Sequence, residues 1–172
     1  MRHTVIAGLL VLLSACATTL ETVYVPAENK GWKVGSGSNR AGGTLMEFIP
    51  TTESIGNWSR MFTIQFLEGE RGSPNTVMKT LESQMRARCP GAKWRVVNQD
   101  STSVTYEWSL SGCAGHSDQH EVARLLKGND GVHRIAYVRK TPQLDAAERS
   151  TWLRAFANAY VEKDGQRVIV AP

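Results

Sequence analysis

Hydrophobic residues change period several times along this chain, and each change marks an element. Val5 to Leu13 is an unbroken apolar run, preceded by Arg2 and His3 and closed by Leu13-Ser14-Ala15-Cys16. Val23-Tyr24-Val25 reads as an early edge strand stopped by Pro26. Glu28 to Gly43 holds five glycines with serines between them and reads as loop. Thr44–Ile49 is strand-like, and Met61–Leu67 alternates Phe62, Ile64 and Phe66 with polar residues, the period of a half-buried strand. Lys93–Asn98, Ser103–Leu110, His120–Leu126 and Val132–Arg139 follow as four more strands. Gly128-Asn129-Asp130-Gly131 joins the last two as a hairpin, in residues that tolerate positive φ.

Two stretches carry helical spacing instead. Ser73 is placed to cap a helix opened by Pro74, with Val77, Met78, Leu81, Met85 and Cys89 on one face and Pro90-Gly91 as its stop. Asp145-Ala146-Ala147-Glu148 is a capping-box pattern, with Asp145 in the place of the usual serine. The helix it opens carries Trp152, Leu153, Phe156, Ala157, Tyr160 and Val161 as an apolar stripe. Strands in succession with few helices predict an antiparallel sheet of about five to seven strands with two main helices packed on it, an α+β fold. The predicted organisation is a leader over 1–15, a tether over 16–43 and one globular domain over 44–172.

The leader sets the compartment. A positive start, a short apolar run and small residues before a cut have the layout of a secretory signal peptide. The run is too short for a bilayer span, which takes roughly 20 apolar residues. Leu13-Ser14-Ala15-Cys16 resembles the lipobox of bacterial lipoproteins. That resemblance implies that Cys16 is lipidated and becomes the first residue of the mature chain. Ala17 follows it where an aspartate would favour inner-membrane retention, so the resemblance implies an outer-membrane anchor and a domain facing the periplasm. One acyl chain binds a membrane marginally and two or more bind lastingly. The covalent lipid is the one cofactor expected.

Charge narrows the partners. The net charge of +4 is spread over scattered Lys and Arg with no run of five, which excludes a basic nucleic-acid tail. Hydrophobic content of 41% against 21% charge describes a folding chain rather than a disordered one. With Cys16 assigned to lipid, Cys89 and Cys113 remain as an even pair. In an oxidising compartment such a pair forms a bridge. Closing that loop would add roughly 3 kcal/mol. The alternative is two buried thiols that never meet.

Candidate chemistry is sparse. His116 and His120, beside Cys113 and Glu121, are weak metal-ligand candidates, because both histidines reach one side only if the segment is helical, and Gly112, Gly115 and Ser117 favour a loop. The expectation there is a solvated loop with exposed histidines, and for His133 a surface or half-buried structural role. Glu47, Glu53, Glu68 and Glu107 have no spacing that pairs them. No Gly-x-Ser-x-Gly elbow is present, and Gly35-Ser36-Gly37 lacks the strand, helix and lysine of a phosphate loop. Most tryptophans fall on core positions. Trp58, in a turn, is the best candidate contact residue.

Asn57-Trp58-Ser59, the Met61–Phe66 strand, the helix ending at Cys89-Pro90, Cys113 and the closing helix with Trp152 resemble a group of small, uncharacterised proteobacterial envelope proteins. The order of elements over Thr44–Val161 is also similar to the Mog1/PsbP-like fold. Neither resemblance brings catalytic residues. The function expected is a non-catalytic, membrane-tethered accessory module holding an envelope protein or cell-wall partner. The alternatives are a small metal-dependent hydrolase using His116 and His120, or a component of a secretion or conjugation assembly.

Overall fold

The computed structural model describes residues 20–27 and 30–170. The leader and Cys16 lie outside the described residues. Strands β1 (Thr22–Tyr24), β2 (Trp32–Arg40), β3 (Gly43–Pro50) and β4 (Arg60–Glu68) precede helix α1 (Pro74–Arg88). Then come β5 (Lys93–Gln99), β6 (Ser103–Leu110), β7 (Gln119–Lys127), β8 (Gly131–Arg139), helix α2 (Ala146–Ala157), β9 (Tyr160–Lys163) and β10 (Gln166–Arg167). Seven strands form one antiparallel sheet in the order β2-β3-β4-β8-β7-β6-β5, and β1, β9 and β10 form a small second sheet. The fold is α+β, with two helices, as the alternation predicts. Among the described residues no helix is long and apolar enough to cross a membrane.

Both faces of the large sheet are covered, so the molecule has three layers. On one face, Val77 and Met78 of α1 pack on Val104, Tyr106 and Trp108 of β6 and on Ala123 and Leu125 of β7. On the other, Phe156 of α2 and Val161 of β9 pack on Val122, Ile135 and Tyr137. The two-sided cover explains why β4 buries residues of both parities: Phe66 on one side, Met61 and Thr63 on the other. A strand solvated on one face keeps only one parity inside.

Local signals govern the helix ends. Ser73 accepts from the Thr76 N–H at 3.1 Å, with Pro74 at the first helical position. Asp145 caps α2 by accepting from the Ala147 and Glu148 N–H groups. Only this half of the expected capping box forms, since the Glu148 side chain turns away to Tyr137 and Arg139. The helix also ends sooner than its apolar stripe suggested. Asn158 is the C-cap, and Tyr160 and Val161, expected on the helix, pair as β9 with Tyr24 and Val23 of β1.

The early edge strand read at Val23–Val25 is present as β1, and the glycine-rich stretch read as loop carries a second strand, β2. β1 is an edge strand of the small sheet, and β2 pairs with β3 from Trp32↔Pro50 to Arg40↔Gly43, with a bulge between Val34 and Ser36. Glycine weakens a strand but suits places where neighbours approach closely. A Cβ on Gly35 would meet the Ile49 side chain at 3.0 Å, and one on Gly37 would meet the Met46 sulfur at 3.0 Å. These glycines let β3 side chains lie flat on β2.

Cys89, the C-cap of α1, and Cys113 stand at disulfide distance with Cα atoms 5.7 Å apart. The bridge ties the last turn of α1 to the loop that follows β6.

Candidate functional site

A cleft of about 570 Å³ opens between α2 and the ends of β2, β4 and β8. Its wall is an interlocked set of rings. Trp152 of α2 stacks on Tyr137 of β8 with centroids 4.3 Å apart, and on Phe62 of β4 at 5.4 Å. Trp32, the first residue of β2, stands edge-on to Tyr137 at 6.3 Å and to Trp152 at 6.2 Å. Each such pair adds about 0.5–1.5 kcal/mol beyond its buried area, so the wall is stiff. Glu148 and Trp152 both face the cleft because they are four residues apart on α2.

Polar groups gather on the same rim. Glu148 accepts from the Tyr137 hydroxyl and, at 2.8 Å, from Arg139. Burial first, and then the hydrogen bond to Glu148, pushes the Tyr137 hydroxyl well above the ordinary tyrosine range, so it stays protonated as a donor. The Arg60 guanidinium lies over the Trp32 ring at 5.3 Å. Arg154 and Lys30 line the cleft and make no hydrogen bond or ion pair through their side-chain nitrogens among the described residues. Among the described residues Glu148 is thus the cleft's only carboxylate and is already doubly bonded, while three cations face it.

The residues singled out from sequence fall elsewhere. Trp58 is half-buried, packed against Ile49, Met61 and Val138, with the Lys140 ammonium 4.3 Å from its ring centre. It is a core-edge residue outside the cleft. His116 is exposed in the loop after β6, and its ring nitrogen lies within 4.8 Å of the Cys89 and Cys113 sulfurs. Those sulfurs, joined, offer no thiolate to a metal.

His120 is not the exposed loop histidine expected. It sits on β7, opposite Ser109, with its side chain mostly buried on the α2 face. Leu144 N–H donates to its Nδ1 at 3.2 Å, which places the ring proton on Nε2, aimed at Glu107 3.8 Å away. His116 lies with Cys89, Trp94 and Trp108 on the α1 face. The two histidines therefore project from opposite faces of the sheet and do not form one ligand set.

Glu107 is held by Arg149 and Arg95, each donating from Nε at 2.6 Å. Burial would raise its carboxyl, but the hydrogen bonds from Arg149 and Arg95 outweigh burial and hold it below the usual carboxylate value. Burial pushes the His120 imidazole below its ordinary value, against the pull of Glu107. A saturated carboxylate beside a neutral, locked histidine is a structural ion cluster.

His133, expected near the surface, is 1% exposed. It stacks on Phe66 at 4.6 Å and faces the buried Glu21 carboxylate at 3.4 Å. Sequence reading put most tryptophans on core positions, with Trp152 on the apolar stripe of the second helix, but it did not join Trp32, Tyr137 and Trp152 into one wall. The available signal was Glu148 at i and Trp152 at i+4 on a helix whose cap was already visible.

No family model, curated protein or solved structure matches the chain. What fold and site define together is a class: a three-layer α+β domain with one aromatic-walled, cation-rimmed cleft.

Proposed function

We propose that this chain is a lipid-anchored accessory module of the bacterial envelope. Its Leu13–Cys16 lipobox places the acyl chains on Cys16, the anchor holds it at the outer membrane with the domain toward the periplasm, and the domain holds an envelope protein or a cell-wall polymer. The observation that carries the binding role is the cleft walled by Trp32, Tyr137 and Trp152. It is concave and preformed, with an aromatic wall on one side and convergent polar and charged groups on its rim, an arrangement suited to holding a ligand. Its aromatic wall is braced from three strands and a helix, so binding requires little ordering of side chains.

The test is a photo-crosslinking residue at Thr151, an exposed position lining the cleft, in the full chain in cells, with Lys79 on α1 as the distant control. A discrete adduct in the membrane fraction from position 151 and none from position 79 is the expected result. Equal labelling from both positions, or none from 151, would overturn the cleft as the binding site.

A further inference from the structure

A second cavity, about 280 Å³, shares Ala27, Trp32 and Trp152 with the cleft just described. Its character is different. Val23 and Val25 of the β1 segment, Phe48 of β3 and Phe62 and Ile64 of β4 line it, with Tyr24 and Glu162 as the ionisable side chains among the described residues. The space on one side of the Trp32–Trp152 pair is therefore mainly apolar, and the space on the other is rimmed by Arg60, Arg154 and Lys30. Together the two volumes fall within the range of small-molecule sites.

We infer that the site takes a small amphipathic anion: an aliphatic chain in the apolar cavity beneath Phe48 and Phe62, and a carboxylate or phosphate head on Arg60 and Arg154. This deepens the cleft-binding reading and rests on it. Charge decides the head group. Glu148 is occupied by Tyr137 and Arg139, so it does not neutralise the rim, whereas Arg154 and Lys30 have no counter-ion among the described residues. A cationic head would meet three like charges, while an anionic one finds guanidinium forks suited to a carboxylate or phosphate. Burial decides the tail. Phe48 and Phe62 have ring centroids 5.8 Å apart, and with Val23, Val25 and Ile64 they give the space a mostly hydrocarbon lining that suits an apolar chain better than a polar one.

The experiment uses the full lipidated protein in phosphatidylcholine nanodiscs, with empty discs subtracted. Equilibrium dialysis compares octanoate, octyl phosphate, octanol and octylammonium, which share a tail and differ in the head. The first two separate a carboxylate source from a phosphate source. Saturable binding of at least one anion at one per chain, at least tenfold tighter than octylammonium, is expected. The double variant R60Q/R154Q, which alters two exposed side chains, should weaken anion binding at least tenfold and leave octanol nearly unchanged. Ala27→Trp, which fills the shared wall, should weaken all tails alike. Binding that ignores the head group, or no saturable binding above empty discs, would overturn the inference. If that happened while the position-151 adduct persisted, the module reading would stand and only the ligand class would fall.

Discussion

At the residue scale, one buried carboxylate explains a hairpin that sequence read for another reason. Gly128 and Gly131 were expected to supply positive φ in the β7–β8 turn, yet neither has it, nor do Asn129 and Asp130. Glu21, 3% exposed, enters the turn and accepts from the Asn129 N–H at 2.8 Å and the Asp130 N–H at 3.1 Å. A Cβ on Gly128 would collide with the Glu21 carboxylate, and one on Gly131 with the Leu67 carbonyl oxygen. The glycines are there for space. Gly128→Ala should lower stability in chemical denaturation by about 1–3 kcal/mol, as overpacking does. An unchanged midpoint would mean that Glu21 does not occupy the turn.

His133 gives the same neighbourhood a pH dependence. Burial lowers its pKa, and the hydrogen bond to Glu21 only partly opposes that; burial lowers His120 likewise. A histidine depressed in the folded state takes up its proton in the unfolded chain first. Stability is therefore full above the ordinary value of 6.5 and is lost as pH falls from there toward the depressed folded-state values. Melting temperature should decline between pH 7 and pH 5. His133→Gln should flatten that decline, and an equally steep slope in the variant would remove His133 as a source.

At the element scale, the bridge ties the end of α1 to the loop after β6. Cys89→Ser with Cys113→Ser should lower stability by roughly 3 kcal/mol. Thiol titration of the denatured, unreduced mature chain should find no free sulfhydryl, and two would contradict the bridge. Elements with strong local codes were legible in the sequence. α1 carries its own cap, proline, apolar stripe and stop, and β6 alternates without a break, so both are where period and capping put them. β2 was not legible, because Gly35 and Gly37 with interleaved serines erase the two-residue period. Its strand geometry comes from pairing with β3, a tertiary cause that composition hides. The end of α2 was missed for a related reason. Tyr160 and Val161 fit the helical stripe, but β1 offers them a sheet partner. The cleft was partly legible: Trp152 lay on a predicted inward face, while its meeting with Trp32 spans 120 residues of sequence and follows from topology alone.

At the scale of the whole molecule, the three-layer domain and its N-terminal anchor are parts of one proposal. Glu21 and β1 fasten the chain to the domain close behind Cys16, through the β7–β8 turn and β9. Few residues separate Cys16 from that first fixed point, so a lipid on Cys16 would hold the domain close to the bilayer, with the β7–β8 turn as its nearest part. The most direct measurement is mass spectrometry of the N-terminal peptide of the chain recovered from its native membrane fraction, beside the Cys16→Ser variant. The expected result is a peptide beginning at acylated Cys16 in the native chain, and an uncleaved, unacylated leader in the variant. An intact Met1 peptide without lipid, on a protein recovered from the soluble cytoplasmic fraction, would contradict the tethered module at its root.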